Sequence, residues 1–141
     1  MPRKSQNCPR SECPLSMGLE IFGDRWTLLI LRDLIFKGLS TFKEFQNSGE
    51  GIATNILADR LQLLQDQGII VGQRSPDDAR VITYQPTEKG LELLPTLIEI
   101  ILWVVKYEKT AAPAKLITRM SQDREGFIRE IRQRFSASKA H

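Results

Sequence analysis

The chain has 141 residues, of which 41% are hydrophobic and 26% are charged, and this composition is typical of a single globular domain with its own core. The most apolar run, residues 91–105, is interrupted by Glu92, Pro95 and Glu99 and is shorter than the ~20 residues that a membrane-spanning helix needs. The polar N-terminus has no signal-peptide pattern, so we expect a cytoplasmic protein without a membrane partner.

The net charge of +3 suggests an anionic partner, but the positive charge is unevenly distributed. From residue 106 to the end, nine lysines and arginines stand against four acidic residues. Residues 53–80 hold three basic residues against four acidic ones. The middle of the chain is therefore not a basic patch.

The first residues, 1–12, are polar and contain two prolines, which predicts a flexible N-terminal arm. A helix is predicted from Cys13-Pro14 to about Phe22, because proline fits the first helical position, and its residues Leu15, Leu19 and Phe22 share one face. A second helix, residues 25–36, is apolar on nearly every side, which indicates a helix enclosed by others.

Residues 39–68 predict a helix-turn-helix. Thr41 and Glu44 have the spacing of a capping box, although Ser40 could equally cap. The capped helix is predicted to have two turns and to contain Phe42 and Phe45. A glycine-containing turn, residues 49–51, leads to one amphipathic helix over residues 52–68. Its predicted buried side is Ala53, Ile56, Leu57, Leu61 and Leu64, and its outward side is Asn55, Ala58, Asp59 and Gln62.

After Gly68 the hydrophobic period changes from 3.6 to 2. Residues 69–71 and 81–84 are β-branched or aromatic, and residues 75–78 between them are a strong turn signal. A hairpin over residues 69–86, directly after a helix-turn-helix, predicts a winged helix. The fold class is mainly α (α+β).

The C-terminal third is predicted to be helical. Thr87 caps a helix that Pro95 should kink or restart. Residues 96–110 are apolar nearly all round, and a domain this small cannot cover them, so a second copy of the chain is the expected cover. A break at residues 111–114 precedes a last basic amphipathic helix over residues 121–135. The predicted organisation is an arm (1–12), a winged-helix and dimerisation domain (13–110) and a basic helical extension (111–141).

The pattern from Cys13 to about Trp103 resembles the HxlR-type family of winged helix-turn-helix regulators. The resemblance rests on elements that occur in order at matching spacing: Cys13-Pro14, Gly23 to Leu28, Ile30-Leu31, Gly38, Phe42, Glu44, Ile52, Leu57, Arg60-Leu61, Leu64, Gly68, Tyr84, Thr87, Gly90 and Pro95. Two positions depart from the family pattern, since Thr41 replaces a usual basic residue and Ala53 replaces a usual hydroxyl residue.

The resemblance implies a homodimeric, sequence-specific transcriptional regulator that binds a near-palindromic operator in double-stranded DNA. Terminal helices would form the dimer interface, for which the candidates are Leu15, Leu19, Phe22, Leu97, Ile101, Trp103 and Val104. It also implies that the cysteine aligned with Cys13 senses oxidants or electrophiles in some members. Cys8 is a second candidate, and inert reduced thiols are the alternative for both.

Residues 53–67 are predicted to enter the major groove, with Asn55 on an adenine edge and Thr54 and Ala58 on a thymine methyl. Asp59 would accept from cytosine N4 or orient a neighbouring basic side chain; solvated helix residues are the alternative. Candidate phosphate contacts are Thr41, Lys43, Arg60, Arg74 and Arg80, with a structural ion pair as the alternative for Arg60.

We expect no enzyme, no cofactor and no metal site. The single histidine is His141, no nucleophile–base pair or glycine-rich phosphate loop is present, and the cysteine spacing is not that of zinc ligands. The remaining alternative function is a winged-helix protein-interaction module, whose binding should not weaken steeply with salt as phosphate-driven binding does.

Overall fold

The computed structural model describes the backbone of residues 10–139 and side chains up to residue 136. The predicted arm lies almost entirely outside the described residues. The elements in chain order are α1 (Pro14–Phe22), α2 (Trp26–Ile35), α3 (Phe42–Gln46), α4 (Thr54–Asp66), β1 (Ile70–Arg74), β2 (Ile82–Pro86), α5 (Glu88–Leu91), α6 (Leu94–Tyr107), α7 (Ala114–Gln122) and α8 (Arg124–Lys139).

Helix α2 lies at the centre of the core. Leu31, Leu34 and Ile35 are at most 1% exposed, which agrees with the prediction of an enclosed helix. Asp24 precedes this helix and satisfies its first donors, because the carboxylate accepts from the backbone N–H of Trp26 (2.8 Å) and of Thr27 (3.1 Å). The preceding helix α1 has no buried residue.

The helix-turn-helix consists of α3 and α4. Thr41 and Glu44 form the predicted capping box, and Thr41 rather than Ser40 is the N-cap residue. Helix α3 has five residues and is shorter than the predicted two turns, because Asn47 already leaves the helical conformation. Gly49 and Gly51 in the turn have φ of 105° and 76°, a region that side chains with a Cβ disfavour.

Helix α4 buries Leu57, Leu61 and Leu64, each at most 2% exposed, as predicted. The prediction that Ala53 shares this buried side is wrong. Ala53 is the exposed N-cap residue in an extended conformation, so it lies before the first helical turn and does not follow the helical projection. Ile52, at 7% exposure, is buried next to it. The helix ends before Gly68, whose φ is 72°.

The wing is an antiparallel hairpin of β1 and β2, in which Ile70 pairs with Pro86 and Arg74 with Ile82. An isolated bridge joins Thr41 to Thr83, and the N–H of Tyr84 donates to the carbonyl of Ser40 at 2.8 Å. These contacts attach the wing to the residues that open α3, so the wing and the helix-turn-helix form one packed unit.

The C-terminal elements differ from the prediction in their boundaries. Thr87 caps α5 as expected, and Pro95 restarts the chain as α6 by occupying its first turn. Helix α7 was not predicted; Pro113, in the predicted break, is its N-cap residue. The last helix begins at Arg124 rather than at residue 121, since Asp123 leaves the helical conformation between α7 and α8.

Both α7 and α8 contribute to the hydrophobic core. Met120, Phe127 and Ile131 are at most 6% exposed, and the ring of Phe127 lies 6.0 Å from that of Phe36 at the end of α2. The division of the chain at residue 111 stays a prediction about domain organisation. In residues 10–139, helices long and apolar enough to cross a bilayer are absent.

Candidate nucleic-acid interface

The outward face of α4 carries the side chains for which base contacts were predicted. Thr54, Asn55, Ala58 and Asp59 are exposed, whereas Leu57 between them is fully buried. The helix therefore presents short polar and methyl groups on one side while its other side packs on α2 and α3. Amide, hydroxyl and methyl groups of this size suit the edges of bases in a major groove.

Arg60 lies at the border between these two faces, and its side chain forms the ion pair that the sequence offered as the alternative to a phosphate contact. Its Nε donates to Oδ2 of Asp24 at 2.8 Å, and its Nη1 donates to the carboxylate of Asp59. The Arg60 side chain is 28% exposed. Arg60 is therefore an ion-pair residue between the α1–α2 turn and α4, and its predicted phosphate contact would have to compete with two carboxylates.

Asp24 is also fixed by contacts that do not involve Arg60. Besides the two backbone donors at the start of α2, the hydroxyl of Thr27 donates to Oδ1 at 2.6 Å. Partial burial by itself would raise the pKa of Asp24, but the hydrogen bonds from Thr27, Arg60 and Trp26 outweigh it and lower the pKa below its ordinary value. The carboxylate is charged and fixed, which makes it a rigid anchor.

A second set of ion pairs ties the turn of the helix-turn-helix to α2. Glu50 accepts from Nη1 of Arg32 at 3.0 Å and from Nη2 of Arg25 at 3.2 Å. The pKa of Glu50 is lowered, chiefly by the hydrogen bond from Arg32. The other side of the same guanidinium contacts Asp33 at 2.8 Å, and Asp33 is buried.

Sequence reasoning missed Asp24, Arg32 and Glu50 as supports of the interface. A signal for Asp24 is present in the sequence, because an aspartate two residues before the apolar run of α2 is suited to accept from the first N–H groups of a helix. Its partner Arg60 lies 36 residues further along, and no local pattern indicates that pairing.

The residues predicted to contact phosphates differ in whether their side chains already have partners within the chain. Lys43 is exposed on α3. The hydroxyl of Thr41 is used in the capping box, where it accepts from the N–H of Glu44. In the wing, Nη1 of Arg74 donates to the carbonyl of Ala79 at 2.6 Å.

Arg80 lies in the wing turn with 90% of its side chain exposed. It donates to Asp78 at 3.1 Å and thereby lowers the pKa of that carboxyl. The pairing offsets one of the two negative charges that Asp77 and Asp78 place in the wing turn.

The candidate dimer residues are mostly at the surface of the chain. On α1, Leu15 and Leu19 are 72% and 56% exposed, and Phe22 is half-buried. On α6, Trp103 is 65% exposed, whereas Ile101 and Val104 are half-buried. Leu97 is 5% exposed and packs within the protomer's own core, so it is not accessible to a partner.

Cys13 is a free, exposed thiol at the N-cap position of α1. Its backbone N–H donates to the hydroxyl of Ser11 at 3.1 Å. The second candidate, Cys8, lies outside the described residues.

Comparison with known proteins places this geometry among helix-turn-helix regulators. A family model described as HxlR-like helix-turn-helix matches residues 21–112. The chain is 30% identical over 104 residues to the HTH-type transcriptional regulator YvaP of Bacillus subtilis (strain 168), covering 74% of this chain and 92% of YvaP.

Solved structures agree with the sequence match. The crystal structure of PA1607 superposes with a TM-score of 0.65 at 37% identity, covering 74% of this chain and 72% of that one. The reduced form of the transcriptional regulator YodB from B. subtilis superposes with a TM-score of 0.57 at 29% identity, covering 69% of this chain and 95% of YodB.

Proposed function

The chain belongs to the HxlR-like helix-turn-helix family and is a DNA-binding transcriptional regulator. We propose that it acts as a homodimer and that each protomer inserts α4 into the major groove of one operator. Thr54, Asn55, Ala58 and Asp59 would contact base edges. Lys43 and Arg80 would contact the phosphates on either side.

The observation that carries this proposal is the contrast between the two sides of α4. Asn55, Ala58 and Asp59 are exposed, although the same helix buries three leucines in the core. An ordinary surface helix more often carries long paired charges on its outer side. Asparagine and aspartate at a spacing of four residues present hydrogen-bonding groups at one turn's distance, which suits successive base pairs.

The test begins with operator selection from a pool of randomised duplexes by the wild-type protein. Binding of the selected duplex and of a scrambled duplex is then measured for the wild type and for a Thr54→Ala/Asn55→Ala variant. We expect the ratio of the two affinities to fall by about 10-fold or more, because one good bidentate base contact contributes about 1–3 kcal/mol of discrimination.

A matched control is Gln133→Ala, which removes an exposed amide from α8. This control should leave the ratio unchanged. A Thr54/Asn55 variant that discriminates as well as the wild type would remove α4 from base recognition. Binding that does not weaken as salt rises would instead favour a protein-interaction module.

Homodimer formation is supported by the uncovered apolar side chains of α1 and α6. Ile100, Trp103 and Tyr107 on α6 are 45%, 65% and 64% exposed, and the rings of Trp103 and Tyr107 lie 5.4 Å apart. Large apolar groups clustered in this way commonly mark interfaces. A two-fold dimer would align the two α4 helices with half-sites about one or two helical turns apart.

An oxidant or electrophile response through Cys13 is supported by the exposure of its thiol beside the start of α1 and by the similarity to YodB. Structures of YodB treated with diamide and bound to quinone are also among those that this chain resembles.

The Cys13→Ser variant is expected to keep its preference for the selected duplex and to lose any change in binding caused by diamide or a quinone. The measurement is fluorescence anisotropy of the labelled duplex before and after treatment. A variant that responds to both reagents as the wild type does would contradict the sensing role of Cys13.

A further inference from the structure

We propose that Arg60 is a positioning residue for base recognition, which sets the rotation of α4 and the direction of Asp59 by bridging Asp24 and Asp59. This inference rests on the proposed DNA contacts of α4. In this role Arg60 contributes to sequence discrimination although it does not itself contact DNA.

The need for such a bridge follows from how α4 is held. Its buried residues are Leu57, Leu61 and Leu64, and apolar packing is non-directional, so it determines which face of α4 is buried but supplies no hydrogen bond that sets the exact rotation of the helix. The N-cap residue Ala53 offers no side-chain hydrogen bond to the first turn. The beginning of α4, where Thr54 and Asn55 lie, therefore has no side-chain cap to fix its orientation.

The bridge supplies a directional constraint. Asp24 is itself fixed by three donors at the start of α2, so the Nε–Oδ2 bond of 2.8 Å attaches Arg60 to α2, a helix with six of its ten residues buried. The planar guanidinium holds its donors in a rigid fork. The angle at which α4 presents its outer face is thereby coupled to α2.

The second arm of the fork reaches the outer face directly. Nη1 of Arg60 pairs with the carboxylate of Asp59, which lies one helical turn beyond Asn55. This pair holds the Asp59 carboxylate toward the side of the helix that carries Arg60. A pairing of Asp59 with a neighbouring basic side chain is the alternative predicted for this residue, and in the proposed bridge the anchored arginine orients the aspartate.

The experiment compares Arg60→Gln, Asp24→Asn and the double variant with the wild type, using the selected duplex and its scrambled counterpart at several salt concentrations. Arg60→Gln is expected to lower the affinity ratio about 10-fold, the scale of one base contact, through weaker binding of the selected duplex. Binding of the scrambled duplex and its salt dependence should not change. The double variant should lose no more than the larger single loss, because the two side chains act as one unit.

Two further variants separate positioning from simpler roles. Arg60→Lys keeps the positive charge but lacks the fork, so it should lose discrimination as Arg60→Gln does, whereas a phosphate-binding role would survive the change. Arg132→Gln removes an ion pair whose arginine is 34% exposed, the bond of 2.8 Å to Glu88, and should keep the ratio. Thermal unfolding followed by circular dichroism verifies that each variant is folded.

An unchanged ratio in folded Arg60→Gln or Arg60→Lys overturns the inference. A drop in binding of both duplexes with a salt slope smaller by ~1 also overturns it, because that is the signature of a lost phosphate contact. A wild type that binds the selected and scrambled duplexes alike would overturn the proposed function together with this inference. If the wild type prefers the selected duplex and the Arg60 variants prefer it to the same extent, the inference about Arg60 is overturned and the proposed function is not.

Discussion

Asp24 shows how one side chain serves local and long-range structure. Its carboxylate caps the N-terminus of helix α2 by accepting from two backbone N–H groups, and it also accepts from Arg60 of α4. The local role follows from the position of an aspartate before a helix. The long-range role depends on the distance between α2 and α4 in the folded chain.

The Asp24→Asn variant is expected to be less stable than the wild type at neutral pH, with a difference that shrinks in acid. The folded-state pKa of Asp24 lies below its ordinary value of 3.8, so its contribution is fully present above that value and is lost as the pH falls through the lower folded pKa. The free energy of unfolding in urea at pH 7 and at about pH 3 measures this change. A difference between the two proteins that is the same at both pH values would contradict the role of the charge.

At the scale of elements, α4 is well packed along its buried face but lacks a side-chain cap at its N-terminus. Three leucines anchor its middle and end, but Ala53 gives no side-chain acceptor to the orphan N–H groups of the first turn. Helix α3, by contrast, has a complete capping box from Thr41 and Glu44. The helix proposed to enter DNA is therefore less firmly held at the end that carries Thr54 and Asn55.

Ala53→Ser should stabilise the protein by about 1 kcal/mol, because a serine at an N-cap position with extended backbone can accept from the first-turn N–H groups. Urea unfolding measures the gain. The matched control is Ala58→Ser, at an exposed position inside the same helix, where serine should destabilise slightly because it is a weaker helix former. Equal effects of the two substitutions would show that capping does not limit α4.

At the scale of the whole molecule, the described core is closed on the side of α7 and α8 and open along parts of α1 and α6. Phe127 and Ile131 of α8 are buried against the rest of the chain. The ion pairs Arg132–Glu88 and Arg124–Glu99 join α8 to α5 and α6. The C-terminal helices therefore cover one side of α6 and leave Trp103 and Tyr107 exposed for a proposed second protomer.

Trp103→Glu is expected to convert the proposed dimer to monomer at micromolar concentration, since it places a charge at a desolvated contact. Sedimentation velocity measures the change. Val71→Glu, an apolar-to-acid change on the wing at a residue 43% exposed, is the control and should leave the mass unchanged. A wild type that is already monomeric would contradict the proposed dimer, whereas a Trp103→Glu variant that remains dimeric would place the interface elsewhere.

Local patterns in the sequence were sufficient for the order of the elements up to α6. The capping box at Thr41, the glycines around α4, the change to a period of 2 after Gly68 and the restart at Pro95 each depend on residues within one or two turns of each other. Such signals act in the unfolded chain as well as in the folded one, so they can be recognised without a structure. The outward face of α4 followed from the same periodicity.

The tertiary structure alone decided which side chains meet. The pairing of Arg60 with Asp24, the attachment of Glu50 to Arg32 and the burial of Leu97 within its own protomer involve partners far apart along the chain. The error at Ala53 has the same origin as these omissions, because a helical projection does not show where the helix begins. Distances between elements arise only when the core is packed, and those distances determine whether an arginine meets a phosphate or a carboxylate.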